Sequence, residues 1–225
     1  MGRFDFPNTL SQEHFMKHIF LTGQIQCGKS TLIQSILRHS TGKLTAAGGF
    51  LTYFTCRDPA FPRSLYLGNA AIYADLFGQS HQSQCVSPVQ LHQALLAQNN
   101  VPIPAAKFSK NTHPTVFLDA FNISAKVWIE QGLKNAQTIQ RTSKRCPVLI
   151  FDECGYLEAN ATAFHRAVYH ALDMPIPILG VLRHMTTASW LDPIRNHSSV
   201  QIISVTPSNR DTLVPQLTDE LLSSF

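Results

Sequence analysis

Hydrophobic positions along the chain switch between two periods. His18-Ile19-Phe20-Leu21-Thr22 is a short apolar run that stops at Gly23 and predicts a buried strand. From Thr31 to Arg38, Leu32, Ile33, Ile36 and Leu37 recur at helical spacing. Gly48-Gly49 breaks the pattern before Phe50 to Cys56, whose aromatic and Thr content reads as strand. Thr115 to Leu118 predicts another strand, ending at Asp119, and Ser124 to Ile139 a helix. Val148-Leu149-Ile150-Phe151 is continuously apolar, as expected of a parallel strand buried on both faces. Ala159 to Leu172 places Phe164, Val168, Ala171 and Leu172 on one helical face. Strands follow at Pro177–Leu182 and Val200–Val205. A helix over Thr212–Leu222 closes the chain, with Pro215 tolerable in its first turn. Strands alternating with helices predict an α/β fold, a mostly parallel sheet flanked by helices.

Two stretches fall outside this rhythm. Residues 1–17 are polar with isolated Phe and read as a leader. Residues 78–114 are rich in Gln, Asn, Ser and His and carry Pro88, Pro102, Pro104 and Pro114. Within them Ser87-Pro88 suits the start of a short helix through Leu95 and Leu96. The rest reads as an insertion or lid-like loop. No internal repeat or second domain is visible, so residues 1–225 are expected to form one domain.

Composition narrows the classes. Of 225 residues, 44% are hydrophobic and 14% charged, enough for a substantial core. No run approaches the length of a membrane span, and the first twenty residues lack the pattern of a signal peptide. The five cysteines show no paired spacing, so a reduced, cytoplasmic protein is expected. The formal charge is +4, with the basic residues scattered except for Arg141 to Arg145, which argues against a nucleic-acid partner.

The chemistry concentrates at Gly23-Gln24-Ile25-Gln26-Cys27-Gly28-Lys29-Ser30. This string matches the phosphate-binding pattern G-x-x-x-x-G-K-[ST] at every fixed position, between a predicted strand and a predicted helix. Glycines let backbone N–H groups turn inward around a phosphate, and the following helix presents its positive end to it. Residues Gly23 through Thr31 are therefore the expected nucleotide-binding loop. Lys29 is expected to reach the terminal phosphates, and Ser30 to offer its hydroxyl to Mg²⁺. Val148 to Phe151 leads into Asp152-Glu153, the expected partner: Asp152 toward the metal, Glu153 orienting or deprotonating the attacking water. The alternative is a structural Glu153, facing solvent or paired with an arginine. No zinc pattern occurs; His81, Cys85 and His92 read as loop residues. Cys27 is expected to be either a reactive thiol shielded by nucleotide or an inert residue at a variable loop position.

These blocks together resemble the THEP-type nucleoside-triphosphatase family, the group of the cancer-related nucleoside-triphosphatases. The resemblance rests on Phe20-Leu21-Thr22-Gly23 with Gly28-Lys29-Ser30-Thr31, then Gly48-Gly49-Phe50 with Thr52. Asp152-Glu153-Cys154-Gly155 with Glu158 and Phe164 follows, then Pro177 through Gly180-Val181, and Asn209-Arg210-Asp211. It covers roughly residues 18–222. It implies a three-layer P-loop NTPase fold and Mg²⁺-dependent hydrolysis of nucleoside triphosphates with loose base selectivity; without a charge-neutralising arginine in place turnover is slow, and slow hydrolysis is expected. It also implies that Asn209 or Arg210 lies near the nucleotide, although a surface ion pair explains Arg210 equally well. Where an acid-rich, Arg-containing stretch usually follows the Gly-Gly-Phe block, this chain has Tyr53-Phe54-Thr55-Cys56-Arg57-Asp58. Arg57 is the residue of that stretch expected to act as a transition-state cation, as Arg183 could.

Two other functions stay open. A small-molecule or nucleotide kinase would use the same loop but needs an acceptor pocket and usually an Arg-bearing lid, and residues 78–114 contain no Arg. A nucleotide-dependent switch or accessory ATPase would act on a protein partner; neither an N-K-x-D nor an L-S-G-G-Q string occurs.

Overall fold

The computed structural model describes residues 17–54, 63–77, 85–109, 112–184 and 187–225. The expected leader, apart from Lys17, lies outside them. The strands are β1 (His18–Thr22), β2 (Leu44–Phe54), β3 (Arg63–Asn69), β4 (Ile103–Phe108), β5 (Thr115–Val116), β6 (Cys146–Cys154), β7 (Ile178–Leu182) and β8 (Val200–Ser204). The helices are α1 (Lys29–His39), α2 (Ile72–Phe77), α3 (Pro88–Ala97), α4 (Lys126–Thr142), α5 (Thr162–Leu172), α6 (Asp192–Arg195) and α7 (Arg210–Ser223). One sheet takes the order β5-β4-β3-β2-β6-β7-β1-β8. The block β2-β6-β7-β1-β8 is parallel; β3, β4 and β5 extend it antiparallel.

Period-two alternation in the central strands divides the core into two layers. Ile19, Leu21, Val148, Ile150, Leu179 and Val181 face one side, against Leu32, Ile33 and Ile36 of α1 and Leu217 and Leu221 of α7. Phe20, Phe50, Leu149 and Phe151 face the other, against Ile129 and Leu133 of α4 and Phe164 and Val168 of α5. The three-layer α/β expectation is met: both sheet faces are apolar, so both need helices. Helix α4 sits unusually close to β2. A Cβ on Gly48 would lie 2.5 Å from the Cα of Gly132, so the two glycines set the approach of helix to strand.

Several local expectations change. The Gly48-Gly49 pair does not precede a strand but lies inside β2, which begins at Leu44 and absorbs the pair through a register shift between Ala46 and Gly48. Strand β3 and helix α2 were not anticipated. Residues 78–114 are not plain loop in their described part. Ser87 caps α3 in a capping box with Gln90, as its Ser-Pro start predicts. Leu91 and Leu95 of α3 are buried, and β4 adds a strand despite Pro104. The proline is accommodated at an irregularity, opposite Tyr66, where the register slips between Leu65 and Tyr66. The strand expected over Thr115–Leu118 shrinks to Thr115–Val116. The chain then winds through a π-helical turn, Ala120–Ala125, into α4. Helix α7 starts at Arg210, which places Pro215 in the second turn, where it removes the helical bond to the Asp211 carbonyl. No described helix is long and apolar enough to cross a membrane.

Candidate active site

The strand order creates the site. Strand β7 lies between β1 and β6 and pairs in parallel with both. The carboxyl ends of β1 and β6 are thus two strand spacings apart, about 10 Å, which is the room a terminal phosphate and its metal occupy. Ligands of open parallel sheets bind at this edge.

Strand β1 ends at Thr22 and the chain turns through Gly23 to Gly28 into α1. Three residues of this loop take positive φ: Gly23 at 151°, Gln26 at 65° and Gly28 at 95°. Gly28 is the residue before α1, and a side chain there would also strike Arg210, whose Cδ lies 2.7 Å from an ideal Cβ. The positive φ is what requires glycine here, since the Arg210 side chain can swing aside. Lys29 turns back over the loop, donating to the carbonyls of Gly23 and Gln24 at 2.9 Å each. Cys27 is buried at 5% exposure in the α1-side core, which takes its sulfur out of easy reach of reagents and agrees with the inert alternative.

The acids arrive from β6. Asp152 is 4% exposed and accepts a 3.0 Å hydrogen bond from the Ser30 hydroxyl. Burial, and next the charge of Glu153, push its pKa up to about 7, against the pull of Ser30 and Lys29. The next residue, Glu153, lines the cavity while Asp152 stays beneath Ser30. The β6–β7 register shifts here: Phe151 pairs with Gly180 but Cys154 with Leu182, so β6 carries an extra residue. Glu153 takes up the bulge with φ of 147°, a strain of order 1–3 kcal/mol for a non-glycine residue. Its carboxylate pairs with Arg183 at 3.2 Å.

Behind these groups the Gly155–Glu158 turn is held by buried polar contacts. The Gly155 N–H donates to Glu158 at 2.9 Å, and Trp190 Nε1 donates to the Gly155 carbonyl at 2.7 Å. His165 stacks on Trp190 at 4.4 Å between ring centroids and bonds the Glu158 carbonyl at 2.7 Å. Glu158 is 2% exposed, and burial raises its pKa to about 7.

The loop and Glu153 line one cavity of about 1020 Å³, whose far wall is Phe54, Arg63 and Phe108. A smaller cavity of about 260 Å³ adjoins it past Glu153, walled by Thr52, Tyr53, Leu65 and Tyr156 among others. The structure thus brings together Gly23, Gln24, Ile25, Gln26, Gly28, Lys29, Ser30 and Thr31 with Glu153 on one wall, and Asp152 beneath Ser30. Asn209 does not line either cavity. It staples its own turn, accepting from the Thr206 N–H at 2.8 Å and donating to the Ser204 carbonyl at 3.0 Å. Arg210 packs on the outer side of Gly28 and pairs with Asp211 at 2.9 Å, beside the loop rather than in the cavity. Arg57 lies outside the described residues.

The sequence profile of the NTPase family matches residues 90–218, more than half of the chain. The chain belongs to the THEP-type NTPase family. Nucleoside-triphosphatase THEP1 of Thermofilum pendens is 35% identical over 86 residues, 38% of this chain; the chain spans about half that relative's length, 47%. The cancer-related nucleoside-triphosphatase homolog of Bos taurus is 25% identical over 211 residues, 92% of this chain and 98% of that protein. The crystal structure of THEP1 from the hyperthermophile Aquifex aeolicus superposes with a TM-score of 0.62 at 19% identity, over 92% of this chain and 99% of that one, a likeness of fold.

The profile match begins after the phosphate loop, so the loop assignment rests on its own sequence and geometry. Arg63, Tyr156, Phe108 and His184 line the cavity without having been anticipated. Arg63 had one available signal, a lone basic residue opening a Leu/Tyr alternation, Arg63-Ser64-Leu65-Tyr66-Leu67. Trp190 and His165 had none, because their role is contact with a turn far away in sequence.

Proposed function

We propose that this chain hydrolyses the β–γ phosphoanhydride of nucleoside triphosphates with Mg²⁺, slowly and with loose base selectivity. The observation that carries this reading is the Ser30 hydroxyl 3.0 Å from buried Asp152, with Glu153 next to it on the cavity wall shared with Lys29. The loop N–H groups and the start of α1 bind the phosphates. Lys29 exchanges the Gly23 and Gln24 carbonyls for phosphate oxygens. Ser30 and Asp152 fit a hard divalent cation that uses few protein ligands, and both oxygens are within reach of one ion. When bound, Mg²⁺ supplies charge neutralisation at the phosphate oxygens. Glu153 orients water and accepts its proton. Loose base selectivity is carried over from the family resemblance, and slow turnover is the expectation for a site whose arginine is not fully engaged. Arg210, packed on Gly28 beside the loop, would lie near the nucleoside, while Asn209 holds the turn before it. All four described cysteines are free thiols, which supports a reducing, cytoplasmic location.

The test is phosphate release from ATP, GTP, CTP and UTP, with and without Mg²⁺, in wild type, Lys29→Ala and Glu153→Gln. Release that needs Lys29, and falls at least about 10²-fold in Glu153→Gln with nucleotide binding retained, supports the reading. Tight Mg-nucleotide binding without release in the wild type overturns it and directs the search to a phosphoryl acceptor.

A further inference from the structure

Resting on the hydrolase reading, we propose that Arg183 is a catalytic residue of this site. In the structure it holds Glu153; with nucleotide bound it moves its guanidinium to the γ-phosphate, freeing Glu153 for the attacking water.

The position is set by topology. Arg183 follows β7, the strand lying between the loop strand β1 and the acid strand β6, and its N–H donates to the Cys154 carbonyl at 2.9 Å. The base of the side chain is fixed by packing. An ideal Cβ on Gly155 would meet Arg183 Cδ at 3.2 Å and Cβ at 3.3 Å, so the stem lies directly on that glycine. The head is held on two sides. One guanidinium nitrogen is 3.2 Å from Glu153 Oε1, and the guanidinium carbon stands 4.7 Å over the Tyr156 ring. Arg183 and Glu153 line both cavities together, whereas Arg63 lines only the larger one and Arg210 packs outside it.

The pair is built to exchange. Its side chains are 32% and 34% exposed, and an ion pair so open to water contributes little on its own. A γ-phosphate carries more charge than one carboxylate and accepts two parallel guanidinium bonds, so it outcompetes Glu153 for the same head. Tyr156 supports the guanidinium face in either position. In the step itself water oxygen bonds to Pγ and the Pγ–O bond to the β-phosphate breaks. The electron pair leaves on the nucleoside diphosphate, and the water proton passes to Glu153. Charge spreads over the equatorial γ-oxygens, where Arg183 is worth most.

The experiment compares wild type, Arg183→Ala and Arg183→Lys. It measures kcat and KM for phosphate release, binding of Mg-ADP alone and with aluminium fluoride as transition-state mimic, and rescue by guanidinium at non-denaturing concentration. Arg183→Ala is expected to lose about 10³-fold or more in kcat with KM nearly unchanged, the range of an engaged arginine. Its binding of ADP without fluoride is retained and the gain on adding fluoride is lost, while guanidinium restores part of the rate. Arg183→Lys keeps the stem on Gly155 and the charge but not the fork, and falls between. A wild type that releases phosphate and an Arg183→Ala variant within about 3-fold of it overturns this proposal alone. So does a loss shared equally by ADP binding and unrelieved by guanidinium, in both variants. A wild type that releases no phosphate fails the hydrolase reading instead.

Discussion

Glu158 is a buried acid whose charged form the fold works against, and replacing it isolates that effect. Its carboxyl is 2% exposed, receives the Gly155 N–H, and has its pKa raised from 4.5 to about 7, first by burial. Because the folded pKa lies above the unfolded one, the folded state binds more protons between the two. Stability contributed by this group is therefore greatest below pH 4.5 and is lost as pH rises through about 7. At pH 8 both states are ionised, and the penalty is the full shift, about 3 kcal/mol; at pH 5 it is about 1 kcal/mol. Glu158→Gln keeps an oxygen for the Gly155 N–H but cannot ionise. Any fixed effect of the amide cancels between pH values, so the stability of the variant relative to wild type should improve by about 2 kcal/mol from pH 5 to pH 8. Urea unfolding of both proteins at the two pH values reads this as a relative midpoint shift of about 1 M. A change below about 1 kcal/mol, or one of opposite sign, refutes the assignment of Glu158 as a desolvated carboxyl.

His18, at the start of β1, works in the opposite sense. It is 1% exposed, its Nε2 bonds the Leu172 carbonyl at 2.9 Å, and burial lowers its pKa from 6.5 to about 4. The unfolded state then binds the extra proton, so stability present above pH 6.5 falls as pH drops toward 4, by about 3 kcal/mol. His18→Gln should flatten that slope in the same unfolding series. Gly49→Ala should destabilise by about 3 kcal/mol or more, since Gly49 has φ of 99° and an added Cβ would overlap the Ile150 carbonyl; a midpoint within error of wild type counts against the crowding seen there. Ser30→Ala should weaken Mg²⁺-dependent nucleotide binding by about tenfold or more while Mg²⁺-free binding changes little, as read by titration with a fluorescent nucleotide. Thiol titration of the native protein should leave Cys27 slow relative to partly exposed Cys85, given its burial in the core.

Where backbone chemistry and period alone decide an element, the linear pattern was enough. The loop from Gly23 to Ser30, the strands at His18–Thr22 and Ile178–Leu182, and the acid pair closing β6 all follow from local rules. A phosphate loop needs its glycines whatever surrounds it, and a strand buried on both faces must be apolar throughout. Ser87-Pro88 capped α3 for the same reason. The antiparallel extension was not legible. Strands β3 and β4 are short and mixed in polarity, and β4 holds a proline, so only their pairing with β2 and with each other makes them strands. Nor could the sequence place Arg183 beside Glu153, thirty residues away. That contact exists because β7 pairs in parallel with β6 and ends beside the bulge that holds Glu153. Residue types and local spacing thus determined which groups are available for chemistry. Strand order and register, which depend on contacts between distant segments, decided which of them meet.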